Sequence, residues 1–178
     1  MKRTVLLPIV TIALCAAVLA GASLALSGAA RENGKREHLA ILHTLLPGSE
    51  NFVLEPYSGE DANIVSVHKA ENGFVIETVT RGYVDEIRML IGVSNDGKVT
   101  GLMVREMHET FGLGLNALTD TDFLAQYLQT SGEAEVGSTI DALTGATVTS
   151  KAVTRAVNSA VAYVTGADAS SGATSWGG

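Results

Sequence analysis

Residues 141–150 read Asp-Ala-Leu-Thr-Gly-Ala-Thr-Val-Thr-Ser, with four hydroxyl side chains gathered around one glycine just before a long run rich in alanine and valine. Hydroxyls in such a place can do two kinds of work. Thr147, Thr149 or Ser150 can cap the helix that follows, accepting a hydrogen bond from backbone N–H groups that lack an intrahelical partner. The same N–H groups, at the positive end of the helix dipole, can instead hold an anion, and Gly145 and Ala146 are the small residues that let a phosphate approach the backbone. A nucleotide or flavin phosphate suits the second arrangement. The stretch is not a dinucleotide fingerprint, since no G-x-G-x-x-G follows a strand, and no Gly-Lys-Ser/Thr closes it as in a Walker loop.

A second irregular stretch, His108-Glu-Thr-Phe-Gly-Leu-Gly114, sets a carboxylate and a hydroxyl on a loop with two glycines. Polar groups on a glycine loop suit ligand contact, and a plain connecting turn with a surface His and Glu is the other reading. Glu106 and Glu109 could be imagined as an acid–base pair, but nothing in the sequence makes them converge. No Ser-His-Asp or Cys-His arrangement is suggested, because the one cysteine, Cys15, lies deep in an apolar stretch where buried filling of space is its expected role. His38 and His43 stand five apart, off a common helical face, so solvated or capping roles are expected rather than metal binding.

The elements that must position these residues follow from periodicity. Val153, Val157, Ala160, Val161 and Val164 recur at helical spacing, which predicts a helix over Ser150–Val164 that Gly166 stops. From Asn51 to Met107 the texture is β-branched runs broken by Gly, Asn and Asp: 63–67, 74–79, 87–91 and 99–104. These read as strands, and Glu71-Asn-Gly73 and Asn95-Asp-Gly97 read as hairpin turns, so neighbours should be antiparallel. Thr119–Gln129 reads as a short helix opened by an Asp/Thr cap, and Glu133–Val136 as a further short strand. Earlier, Arg31–Leu46 carries one apolar stripe, Leu39, Ile41, Leu42, Leu45 and Leu46, which fits a helix ended by Pro47-Gly48.

Thr4–Ala30 contains no charged residue, which is long enough for a membrane-spanning helix of about 20 apolar residues. A cleaved signal peptide is the competing reading, with Lys2-Arg3 as its basic start, but the run exceeds the usual apolar core of about 7–15 residues. Charges on its two sides do not decide orientation: Lys2 and Arg3 face Arg31, Lys35 and Arg36. All 19 acidic residues and 10 of the 12 basic ones lie beyond residue 30, leaving that part at a formal charge of −9 and a poor partner for nucleic acid. The expected layout is a membrane anchor over 1–30, a folded domain over 31–166 and a flexible Gly/Ser/Ala-rich tail over 167–178. The fold class is α+β, a mostly antiparallel sheet flanked by helices and preceded by a single transmembrane helix.

Asp141-Ala-Leu-Thr-Gly-Ala-Thr147 resembles the flavinylation motif D-x-x-S/T-G-A-T of the FMN-binding domain found in the G subunit of Rnf-type electron transport complexes and the C subunit of the sodium-translocating NADH:quinone oxidoreductase. Other features follow in the family's order: the N-terminal anchor, Leu45-Leu-Pro-Gly48, Gly82-Tyr83 with the strand pair that follows, and the Glu109-Thr-Phe-Gly-Leu-Gly114 loop. The family's loop has proline where this chain has Phe111, and its histidine where this chain has Met107.

The resemblance implies that Thr147 carries FMN through a phosphoester, installed by a separate flavin transferase using FAD and magnesium. Asp141, Leu143, Thr144, Gly145 and Ala146 then form the recognition sequence and the phosphate walls, while Glu109, Thr110, Gly112, Leu113 and Gly114 line the flavin. Thr149 and Ser150 keep the task of starting the helix. It also implies a single-pass subunit of the cell (inner) membrane with its domain outside the cytoplasm, relaying electrons among other membrane subunits of an ion-translocating ferredoxin:NAD oxidoreductase without turnover of its own. A free-standing flavinylated extracytoplasmic carrier and an anchored, non-redox binding module are the alternatives.

Overall fold

The computed structural model describes residues 2–108 and 114–167, the side chains of residues 2–10, 24–26, 29 and 115–117 excepted. The expected tail from 168 onward lies outside the described residues. The chain divides into two compact units, Met1–Ala40 and Ile41–Gly178.

The first unit is helical. Helix α1 runs unbroken from Lys2 to Leu45, so no separate helix begins at residue 31. Arg31–Ala40 carries good helix formers, and Arg36 pairs with Glu32 one turn earlier at 3.4 Å, an exposed contact that adds a few tenths of a kcal/mol. Cys15 is exposed on this helix, not buried as expected. Among the described residues, no helix is long and apolar enough to cross a membrane.

The second unit is built on five strands: β1 (Val53–Glu55), β2 (Ile64–Ala70), β3 (Gly73–Arg81), β4 (Glu86–Ser94) and β5 (Val99–Glu106). They lie in sequence order, each antiparallel to the next, as the turn residues predicted. The α+β class with an antiparallel sheet is therefore correct. In and near the sheet, two elements differ from expectation. Strand β1 was too short to show a period-two pattern. Glu133–Val136 forms no strand, only a bridge between Val136 and Ile140, because the Thr139 hydroxyl takes the Glu135 N–H at 2.8 Å and a turn forms instead.

Both faces of the sheet are covered. Alternation along β4 sends Ile87, Met89, Ile91 and Val93 to one face, where they join Val67, Ile76 and Val99. Against them packs α4 (Thr147–Thr165), with Ala152, Val153, Ala156, Val157, Ala160 and Val161 all buried. Val153, Val157, Ala160 and Val161 belong to the predicted apolar set, and Gly166, at φ +70°, ends the helix where expected. Leu90 and Val75 point to the opposite face and meet Leu42, Leu45 and Leu46 from the end of α1. That approach is close because Gly92 and Gly101 pair across β4 and β5: a Cβ on Gly92 would lie 2.2 Å from the Leu45 carbonyl oxygen. The Thr100 hydroxyl donates to the same oxygen at 2.5 Å. His43, in the last turn of α1, bonds the Ser49 carbonyl in the loop after the helix at 2.8 Å, so it ties the loop to the helix rather than capping the helix's own carbonyls.

After β5 come two short helices, α2 (Gly114–Thr119) and α3 (Thr121–Ala125). The predicted helix over 119–129 is thus five residues long and continues as turns. Its cap is Asp120, whose carboxylate accepts from the N–H groups of Asp122 and Phe123. Tyr127 follows, fully buried, and donates its hydroxyl to Thr154 Oγ1 on α4 at 2.8 Å while Thr154 donates onward to the Ser150 carbonyl at 3.0 Å. Burial pushes the Tyr127 pKa up to about 12 from an ordinary value of 10.0. The unfolded chain therefore loses this proton first, so the stability tied to the neutral hydroxyl is complete below pH 10 and drains away as pH rises towards about 12. Tyr127→Phe should cost about 1 kcal/mol at neutral pH. In urea titrations the gap between wild type and variant should narrow above pH 10.

Candidate functional site

The hydroxyl-rich stretch enters from Ile140, which is fully buried and fixes the chain before the motif begins. Asp141 is exposed, and its backbone is held from both sides by one side chain: the Gln126 amide accepts the Asp141 N–H at 2.8 Å and donates to the Asp141 carbonyl at 3.3 Å. Gln126 sits at the C-cap of α3, so the motif is tied to the same turn that Tyr127 anchors to α4. No sequence signal singled out Gln126. Tyr127 offered one, being an aromatic four residues after Phe123, the buried aromatic of α3.

Leu143 is half-buried against the main core, and its carbonyl accepts from the Ala146 N–H at 2.9 Å, closing a turn over Thr144 and Gly145. Gly145 stands at φ +79°, where a side chain would be strained. Ala146 is buried and occupies the N-cap position of α4, which begins at Thr147, three residues earlier than predicted. This reverses the expected capping. Ala146 offers no side-chain acceptor. Thr149 and Ser150 are buried inside the first turn, and the Ser150 hydroxyl donates backward to the Ala146 carbonyl at 3.0 Å rather than accepting from a helix N–H. The misreading has a plain cause: a Ser or Thr one turn into a helix is indistinguishable by type from one at its cap.

The four hydroxyls therefore divide. Those of Thr149 and Ser150 face inward, and those of Thr144 and Thr147 belong to exposed residues. Thr147 is the first residue of a 19-residue helix with no acidic side chain in its first turn. An exposed hydroxyl at the first residue of a helix whose N-cap, Ala146, makes no side-chain cap, preceded by a positive-φ glycine, fits a phosphate ester, with the positive end of the dipole behind it. Asp141, Thr144 and Gly145 are exposed as well.

Glu109, Thr110, Gly112 and Leu113 lie outside the described residues, as does Phe111. The ends of their loop are described. His108 Nδ1 lies 3.9 Å from Asp85 Oδ2, in the turn between β3 and β4. Gly114 is buried as the first residue of α2, which packs against α4.

Residues 82–162, from the β3–β4 turn into α4, match the family described as the FMN-binding domain. The chain is also 33% identical over 136 residues to the G subunit of the ion-translocating oxidoreductase complex of Methanosarcina acetivorans, a match that covers 67% of this chain and 71% of that relative. The chain belongs to the FMN-binding family of complex G subunits. Two further members of this family are similar to it. The G subunit of the proton-translocating ferredoxin:NAD(+) oxidoreductase complex of Clostridium ljungdahlii is 39% identical over 98 residues, covering 52% of this chain and 53% of the relative. The Na(+)-translocating counterpart of Acetobacterium woodii is 34% identical over 117 residues, covering 61% and 54%. The chain thus spans about half the length of these two relatives.

Loss of the Gln126 clamp should free the start of the motif without unfolding the domain. In Gln126→Leu, amide exchange at Asp141 should accelerate about tenfold, the kinetic equivalent of one net hydrogen bond, while β4 amides keep their protection. Unchanged exchange at Asp141 would show that the clamp does not hold the motif.

Proposed function

We propose that this chain is a membrane-anchored electron-transfer subunit that carries FMN covalently on Thr147, within an ion-translocating ferredoxin:NAD oxidoreductase complex of the Rnf type. The observation that carries the reading is the place of Thr147: an exposed hydroxyl at the first residue of α4, after an N-cap alanine that makes no side-chain cap, closing a D-x-x-T-G-A-T sequence in a chain of the FMN-binding family. Attachment forms one O–P bond at Thr147 Oγ and breaks the pyrophosphate bond of FAD. AMP leaves, and the hydroxyl proton is released to solvent. A separate flavin transferase, with magnesium, is the partner this requires.

Bound FMN supplies one- and two-electron transfer. The chain's own residues supply position. Thr147 tethers the phosphate, Gly145 and Ala146 keep its approach open, and Asp141 and Thr144 present the recognition surface held by Gln126. Glu109, Thr110, Gly112, Leu113 and Gly114 are assigned to the flavin's remaining surroundings. A tether suits a domain outside the cytoplasm, where lost FMN has no pool to replace it. Residues 4–30 are the anchor in this reading, with Lys2-Arg3 on the cytoplasmic side. Residues 31–166 are the FMN-binding domain, the remainder is a tail, and other membrane subunits are the electron partners.

Co-expression of the full chain with a flavin transferase should give a band that fluoresces under ultraviolet light after denaturing electrophoresis. Thr147→Ala should abolish the fluorescence, whereas Thr144→Ala should keep it at a reduced level. Fluorescence that survives Thr147→Ala would move the attachment to another residue.

A further inference from the structure

Between Thr147 and Val161, α4 is buried on almost every side. In that stretch only Thr147, Val148, Lys151 and Arg155 keep any substantial exposure. Thr147, Lys151 and Arg155 are four apart, so their side chains form one open strip along the helix. Arg155 is already engaged, since its Nη2 donates to the Arg81 carbonyl at 2.8 Å and ties the β3–β4 turn to the helix. Lys151 is paired with no carboxylate among the described residues.

That lysine brings a positive charge to the turn next to the positive end of the helix dipole. The start of a helix disfavours positive charge, and α4 has neither an acidic side chain in its first turn nor a side-chain cap. Nearly two acidic residues for every basic one stand beyond residue 30, yet the fifth residue of this helix is basic. Helical side chains lean towards the N-terminus, so the stem of Lys151 runs back over the turn that begins with Thr147. A flexible four-carbon stem at that spacing can carry its ammonium to a group attached to that hydroxyl. A phosphodiester there removes the conflict, because one negative charge meets both the dipole and the lysine.

We infer that Lys151 is the positioning residue for the flavin phosphate: its ammonium pairs with the phosphodiester on Thr147 and, before attachment, draws the pyrophosphate of FAD to the Thr147 hydroxyl. This rests on the reading of Thr147 as the attachment residue. The substrate class is a dinucleotide pyrophosphate, and the bonds made and broken are those of the flavin transfer given above. Arg155 sets the far end of the strip, and Lys151 supplies its free charge.

The test uses the full chain in detergent with purified flavin transferase, FAD and magnesium, following fluorescent labelling over time. Lys151→Gln should slow labelling about tenfold, as expected for one lost charge-assisted contact. Lys151→Glu should slow it further, and Lys151→Arg should restore it to within about threefold of wild type. The difference between wild type and Lys151→Glu should shrink at high salt. Thermal melting of all three unlabelled variants reports whether they fold. A second readout is independent of labelling rate: in the flavinylated wild type, Lys151 should be acylated by acetic anhydride about tenfold more slowly than in Thr147→Ala. Folded Gln and Glu variants that label at the wild-type rate would overturn the inference, as would an arginine variant as slow as glutamine, or equal acylation in the two chains. A wild-type chain that takes no label on Thr147 would instead overturn the attachment reading on which the inference stands.

Discussion

The packing of α4 against β3 and β4 is the constraint from which the site follows. Ala152, Ala156 and Ala160 bring the helix backbone close to the sheet, while Val153, Val157 and Val161 fill the space beside them. Hydrogen bonds fix its register. The Thr80 hydroxyl donates to the Ala152 carbonyl at 3.0 Å, and the Asn158 amide donates to the Ala134 carbonyl at 2.9 Å. A helix so nearly enclosed has few surfaces left for function. Its first turn is one of them, and the motif places Thr147 there. Larger side chains at the alanine positions would lift the helix and move that turn with it.

The segment before α4 is irregular, yet it is closely tied. Gln126 grips the Asp141 backbone, Tyr127 reaches Thr154 through the core, and Ile140 fills a buried position between them. Attachment of a phosphate to an exposed hydroxyl asks for such an arrangement, because a mobile acceptor would lose entropy on every encounter with the transferase. A short loop pinned at three points has little of that entropy left to lose. The sheet is covered on its other face too, where Leu45 lies over the Gly92–Gly101 pair and Leu42 and Leu46 pack with Val75 and Leu90.

Much of this was legible in the sequence, for physical reasons that differ by element. The strands and their hairpins showed themselves through β-branched runs and Asn/Gly turns, and α4 through its apolar spacing and Gly166. The family likeness was legible in one ordered pair of motifs. Contacts between distant segments were not. Gln126 is an unremarked glutamine until its amide is seen beside Asp141, and Gly92 looks like a weak point in a strand until Leu45 lies over it. Thr149 and Ser150 have capping chemistry one turn too late to cap, and burial, invisible in the sequence, separates the two roles. Lys151 was likewise visible as a residue and silent as a charge, since its meaning depends on which other positions of α4 are enclosed.

The central claim is that the exposed hydroxyl of Thr147 carries the flavin. Trypsin cuts after Arg105 and Lys151 and has no site between them, so one peptide, Glu106–Lys151, holds both the loop and the motif. Fragmentation mass spectrometry of that peptide, from chain matured in a host with a flavin transferase, tests the claim most directly. The account predicts the added mass of one FMN phosphoester localised to Thr147. A peptide recovered unmodified from such material, or one carrying the flavin on any other residue, would contradict it.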